Sequence, residues 1–408
     1  MRLGTRGDSG RRGHFAGRAA LLITTALAVV LTYVLAGLVS GAHGATPTQF
    51  TITDLGTLGG DDSEATAVNE SGQVVGDSYV LAGNSAIHPF SWARQDGMAD
   101  VGTLGGQPSR AVGVNNHGQV VGYSGTVGDT GYHAFSWTAG GGLVDIGTLA
   151  GANSSFAFAV GDNGQAVGWT AGGIHRAFSW TTRGGMIDLG TLGGDSTAHA
   201  VNNHGQVVGV CSDVAGEAHA FSWTQTEGMV DLGTLGGTGS VAIAVADNGQ
   251  VVGYSFRRGN PQPRAFSWTR TDGMVDLGTL GGDYSYATAV SDSGQVVGVS
   301  TTSTGDYHPF SWTQRGGMVD IGSIGGFAVA TAVNNRGQVV GYGSTSSAGG
   351  DPYHAFSWTQ QDGMVDLGTL GGRFSWAAAI NNKGQVVGWS DTTEGDRHHH
   401  AVLWESRG

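Results

Sequence analysis

Six histidines occupy one recurring slot, His88, His133, His219, His308, His354 and His400. Eight aspartates occupy another: Asp54, Asp100, Asp145, Asp188, Asp231, Asp276, Asp320 and Asp366. Both residue types ligate metals and move protons, so each slot must first be weighed as chemistry. Ligands of one ion converge within a few ångströms, whereas equivalent residues of successive repeats lie much further apart. Catalysis brings unlike groups together in unlike environments, and copies of a single acid do not provide that. The slots therefore read as structural. Each histidine hydrogen-bonds a loop or the repeated aspartate, and each aspartate accepts backbone N–H groups of the turn that follows it. The N-N-x-G turns carry at most one acid each, as in Asp247-Asn248-Gly249, too few for calcium affinity. His398-His399-His400 is a run that binds stray metal without being a site. Cys211 is the single cysteine, which excludes an intrachain disulfide framework, and it reads as small buried filler. No metal site, cofactor or catalytic residue is expected.

Function is sought instead where the repeats differ. One variable loop set joins second strands to third, from Asp77-Ser78-Tyr79 to Asp391-Thr392-Thr393-Glu394. A second set follows each TLGG phrase and carries Glu64, Arg110, Phe156, Tyr284, Tyr286, Phe374 and Trp376. Tyr284, Tyr286, Phe374 and Trp376 are the bulkiest of these, and aromatic faces suit sugar rings or apolar groups. They form the expected binding set, with packing between repeats as their competing use. An enzyme needs blade-specific acids, histidines or arginines gathered at one place. Only Glu64, Arg110, His199 and Arg373 qualify, from loops read as spread around the molecule. A binding or scaffold module is therefore favoured over a hydrolase or lyase acting on extracellular polysaccharide.

The elements that position these residues are set by repetition. DLGTLGG and its variants return at steps of 46, 45, 43, 43, 45, 44 and 46 residues. GQVVG or a variant starts at Gly72, Gly118, Gly164, Gly205, Gly249, Gly294, Gly337 and Gly384. A third phrase closes on Trp92, Trp137, Trp180, Trp223, Trp268, Trp312, Trp358 and Trp404. Each unit reads as four short strands: an A-x-A-V segment such as 198–201, GQVVG after a tight Asn/Gly turn, HAFSWT as at 133–138, and MVDLG. In the third strand His133, Phe135 and Trp137 face one way and Ala134, Ser136 and Thr138 the other. Four antiparallel strands at this period match the blade of a β-propeller. The exported chain opens with a lone fourth strand, 50–55, and ends with a lone third strand, 401–404. The two are complementary, so the expected fold is all-β: an eight-bladed β-propeller of four-stranded antiparallel blades, closed by the N-terminal strand.

Composition agrees. Of 408 residues, 75 are glycine, which disfavours long helices, while 39% are hydrophobic, enough for a large core. Residues 1–18 hold five arginines against Asp8. Ala19 to Ser40 then run uncharged, and Ala42-His43-Gly44-Ala45 offers small residues for cleavage. Residues 1–44 thus read as a signal peptide or an N-terminal membrane anchor, and 45–408 as a single propeller domain. Beyond residue 44 the chain has 14 basic and 31 acidic residues, a formal net charge of −17. That charge repels phosphate backbones and gives no basic patch for anionic lipid. The expected partner is a glycan or surface protein, not nucleic acid, with membrane contact only through an N-terminal anchor, and the protein is expected to be a monomer.

The runs His133-Ala134-Phe135, His219-Ala220-Phe221 and His354-Ala355-Phe356, with the phrases around them, resemble the HAF-repeat family of extracellular repeat proteins. The resemblance covers 48–404. It implies an exported repeat protein and carries no established activity or catalytic residues. His-Pro-Phe at His88 and His308, Arg176 and Arg264 in the histidine slot, and Ala401-Val402-Leu403 depart from the pattern.

Overall fold

The computed structural model describes residues 48–407 apart from 82, 84, 129–130, 347–351 and 394–397, so residues 1–44, read above as signal or anchor, lie outside the described residues. The described chain forms eight four-stranded antiparallel sheets and no α-helix. Blade 4 is representative, with strands Gly193–Val201, Val207–Asp213, Ala218–Thr224 and Gly228–Asp231 joined in sequence order. First strands of successive blades lie side by side all the way round, including blade 8 against blade 1, and so line the central channel.

Burial explains the repeated phrases. Val207 joins the cluster between blades 3 and 4, and Val208 the cluster between blades 4 and 5, so the valine pair is buried on both faces. Phe221 and Trp223 project from one face of the third strand into the first of these clusters, in the orientation read from the sequence. The glycine after the valines is needed for a close approach. A register shift bulges the first strand between Ala198 and Ala200, and a Cβ on Gly209 would lie 2.0 Å from the Thr197 carbonyl oxygen. Second strands begin at the valines because the preceding residues belong to the turn: Asn202 Oδ1 accepts the N–H groups of His204 and Gln206.

The ring closes as expected. Phe50–Asp54 pairs antiparallel with His399–Ser406 as the outer strand of blade 8. Two hydrogen-bond systems cross every junction or nearly so. At the turn between first and second strands, each blade donates a backbone N–H to a side chain of the next. Asn203 N–H binds Asp247 Oδ1 at 2.8 Å, Asn382 N–H binds Glu70 Oε1 at 3.0 Å, and Glu70 N–H binds Asn116 Oδ1 at 2.9 Å. On the other side of the blade, first-strand serines bridge backwards. Ser196 Oγ accepts Ala177 N–H at 2.9 Å and donates to Gly190 O at 3.0 Å. At the closing junction Ser63 Oγ accepts Ala401 N–H at 2.8 Å. Blade 6 has Pro309 in the donor position, without an N–H, and blade 7 has Ala328 where the serine would stand. Pro89 of blade 1 likewise lacks the donor, yet blade 2 keeps Ser109, whose Oγ still reaches Gly102 O at 3.5 Å, so donor and acceptor are both lost only between blades 6 and 7.

Candidate functional site

The histidines of the repeated slot meet the repeated aspartates, one of the two partners expected for them. His219 Nδ1 lies 2.7 Å from Asp231, His308 Nδ1 2.8 Å from Asp320 and His400 Nδ1 2.9 Å from Asp54. The aspartates also accept the N–H two residues on, as Gly233 N–H donates to Asp231 Oδ1 at 2.7 Å. Arg176 replaces histidine on Asp188 in blade 3. In blade 5 it is Arg257 that approaches Asp276, at 3.9 Å. Cys211 fills a slot that blades 5 and 6 give to Ser255 and Ser300: its sulfur accepts Leu192 N–H at 2.9 Å, and burial pushes the thiol pKa up. Among the described residues, Asp213, Glu217 and His219 bring ligand atoms within 4.8 Å of one another. Asp213 Oδ1 accepts two backbone N–H groups of its own loop and His219 Nδ1 holds Asp231.

The expected binding residues lie at the end of the channel where first strands begin. Most are in strands and not in loops. Tyr284 and Tyr286 belong to Gly281–Val290, Trp376 belongs to Ser375–Ile380, and Phe374 stands just ahead of it. Tyr286 and Trp376 each stack on an aromatic of the preceding blade, Tyr254 at 4.9 Å and Tyr342 at 3.5 Å between ring centroids. The alternative use weighed for them, packing between blades, is therefore part of their role. Tyr284 and Phe374 are joined by residues that sequence reading missed. Tyr284 meets Tyr307 at 5.6 Å, Tyr307 meets Phe327 at 6.1 Å, Phe327 meets Tyr353 at 6.4 Å and Tyr353 meets Phe374 at 6.1 Å. The result is an arc of aromatic rings across blades 6, 7 and 8. Tyr307 is 42% exposed at its centre, and Arg373 lies over Phe374, 5.7 Å from the ring centroid.

Two of the four blade-specific polar residues, expected to be spread around the ring, come together. Glu64 and Arg110 line one cavity of about 100 Å³, together with Asp62, Asp77, Tyr79 and His399. Blade 1 supplies the acids, blade 2 the arginine and blade 8 the histidine. Arg110 donates to Asp77 Oδ2 and Ala111 N–H to Asp77 Oδ1, both at 2.9 Å. His399 Nε2 lies 3.0 Å from Glu64 Oε1, while His399 N–H donates to Asp62 Oδ1 at 2.9 Å. Burial pushes the Asp77 pKa up to about 7 against the pull of Arg110 and Ala111. The hydrogen bond with His399 holds Glu64 below the usual glutamate range. His199 and Arg373 stand apart. His199 Nδ1 lies 2.8 Å from Ala242 O, in the place where Thr288 binds Ala330 O, and burial lowers its pKa.

A larger groove of about 760 Å³ lies at the opposite end, between blades 5 and 6, lined by repeat residues such as Gln250, Ser267 and Trp312. Its counterpart between blades 7 and 8, with Gln338 and Ser357, is about 210 Å³. These grooves belong to the repeat and not to one blade.

No family model matches the chain, and no curated protein matches it. Among solved structures it is similar to TolB from Acinetobacter baumannii, with 11% identity over 77% of this chain and 78% of that one, at a TM-score of 0.40. It is similar to an oligogalacturonate lyase solved with manganese, with 11% identity over 88% and 98% of the two chains and a TM-score of 0.46. Similarity to a puromycin hydrolase reaches 14% identity and a TM-score of 0.47, over 80% of this chain but 57% of that one. The architecture itself rests on the sheet pairing described above.

Proposed function

We propose that the protein is an exported HAF-repeat propeller that binds a neutral glycan across the mouth of blades 6 to 8. The contiguous aromatic arc from Tyr284 to Phe374 is the observation that carries this reading. Tyr286 and Trp376 form its inner row, stiffened by stacking on Tyr254 and Tyr342. Rings already packed against one another lose little freedom when a sugar lands on them, and rigid platforms of this kind favour stacking. The acidic charge beyond residue 44 favours a neutral polymer over a uronate or sulfated one. The basic, apolar and small-residue order of residues 1–44 supports export.

Affinity electrophoresis of the full chain in native gels containing laminarin, xylan or galactomannan tests the reading. Retardation by at least one polymer, lost in the Tyr307→Ala/Phe374→Ala variant, is expected. Equal mobility with and without all three polymers contradicts it.

A further inference from the structure

Blade 1 breaks a rule that the other blades keep. Glu64 and Asp77 are direct cross-strand partners. Side chains so placed stand about 4.5–5.5 Å apart at Cβ, and like charges there are destabilising. Equivalent pairs elsewhere are Arg110 with Tyr123, Phe156 with Trp169 and Trp376 with Trp389. Every other blade places at most one charged residue in this pair of positions, and a local conflict of this kind points to a functional site. Each acid also has its own partner from a different blade, Arg110 for Asp77 and His399 for Glu64. The two carboxyl groups are thereby held in unlike surroundings on the walls of one cavity.

The geometry points to a hydrolytic site in this cavity, in which Asp77 and Glu64 cleave a glycosidic bond of a neutral polysaccharide; this substrate class rests on the glycan-binding reading. Asp77 gives its proton to the linking oxygen as the bond from that oxygen to the anomeric carbon breaks, its electron pair passing to the oxygen. Water oxygen bonds to the anomeric carbon and loses a proton to Glu64. One water is consumed, and solvent returns the proton from Glu64 to Asp77. Arg110 and His399 are positioning residues for the two carboxyl groups.

Several features suit this division of roles. The Asp77 side chain is 9% exposed and that of Glu64 46%, so the acid is sheltered and the base meets water. Burial raises one carboxyl and a hydrogen bond lowers the other, the separation an acid–base pair needs. A cavity of about 100 Å³ holds about three waters at liquid density, so it accepts a linkage and a water while the chain runs outside. Aromatic rings adjoin two residues of its wall, His399 and Arg110. Trp389 lies 5.0 Å from the His399 ring, and Tyr123, opposite Arg110, lies 5.1 Å from Phe156. Elimination from a uronate fits poorly, because Asp62 and Glu64 repel its carboxylate and Arg110 is already engaged by Asp77.

The full chain is incubated with laminarin, xylan and galactomannan across pH 4–9, and released reducing ends are measured beside gel retardation. Release from a retarded polymer is expected, falling on both sides of an optimum, with a drop of about 100-fold or more in Asp77→Asn and in Glu64→Gln. Both variants should keep the wild-type retardation. Should Asp77→Asn fail to fold, the half-exposed Glu64→Gln carries the comparison. Retardation without release, or release that survives in Glu64→Gln, overturns the hydrolytic site and leaves glycan binding standing. Neither retardation nor release overturns both.

Discussion

His400 meets Asp54 from 346 residues further along the chain, its Nδ1 2.9 Å from the carboxylate Oδ2. The pair that every other histidine-bearing blade makes within itself is here assembled from the two ends of the sequence. Ring closure thus reuses the ordinary contacts of a blade. An exposed pair of this kind contributes at most about 1 kcal/mol, so the burden falls on the strand: Ile52 packs against the Trp404 cluster and Leu55 is buried in the next.

Deleting residues 45–58 should therefore bare the edge of His399–Ser406, and an open edge recruits other chains. Size-exclusion chromatography should show aggregation, with a lower melting temperature for what stays soluble. A monomeric deletion variant with wild-type melting would contradict the closed ring.

Trp223 is 9% exposed and lies between blades 3 and 4 with Val167, Ala177 and Phe221. Trp223→Ala should cost about 3–5 kcal/mol and lower the urea midpoint accordingly. An unchanged midpoint would place the indole outside the junction.

Gly209→Ala is expected to be worse than its size suggests. The new methyl would meet the Thr197 carbonyl oxygen at 2.0 Å, and a backbone atom cannot rotate away as a side chain can. A loss of about 3 kcal/mol or more in urea unfolding follows from forced overpacking. A loss below about 1 kcal/mol would mean that the bulge is soft.

Much of the fold was legible because each repeated phrase meets a single physical demand. Valines are buried on both faces, glycine sits at the bulge, and tryptophan fills the space between blades. Strand limits were less so. Gln206 looks like strand residue, yet its N–H is spent on Asn202 Oδ1 in the turn. The arc was legible only at its ends. Tyr307, Phe327, Tyr342 and Tyr353 sit in different segments, and only the ring geometry brings them together. His399 was missed as the partner of Glu64 because closure puts residue 399 beside residue 64, and Asp77 as the partner of Arg110 because the two sit on neighbouring blades, 33 residues apart. One signal was available: in the slot pairing Glu64 with Asp77, every other blade except blade 4 carries an aromatic residue on one or both strands.

Asp77 should leave a mark on stability against pH. Its folded pKa, about 7, lies above its ordinary 3.8, so the stability tied to its proton is complete below about pH 3.8 and lost as pH rises through about 7. Glu64 acts oppositely, its contribution present above 4.5 and lost as pH falls through its lowered folded value. Arg110 and Glu64 are the charges that act on Asp77. Between pH 4 and 7 the melting temperature of Asp77→Asn should fall less than that of wild type. Parallel curves would mean that Asp77 is ionised throughout that range.

We propose that the aromatic mouth of blades 6 to 8 holds a neutral glycan. Titration calorimetry with oligosaccharides of the polymer that retards the chain, on wild type, Tyr307→Ala and Phe374→Ala, tests it most directly. Stacking on an aromatic ring is worth about 1–3 kcal/mol, so each variant should bind weaker by that amount while melting like wild type, since Tyr307 is 42% exposed and Phe374 precedes its strand. Undiminished affinity in both variants would contradict the account.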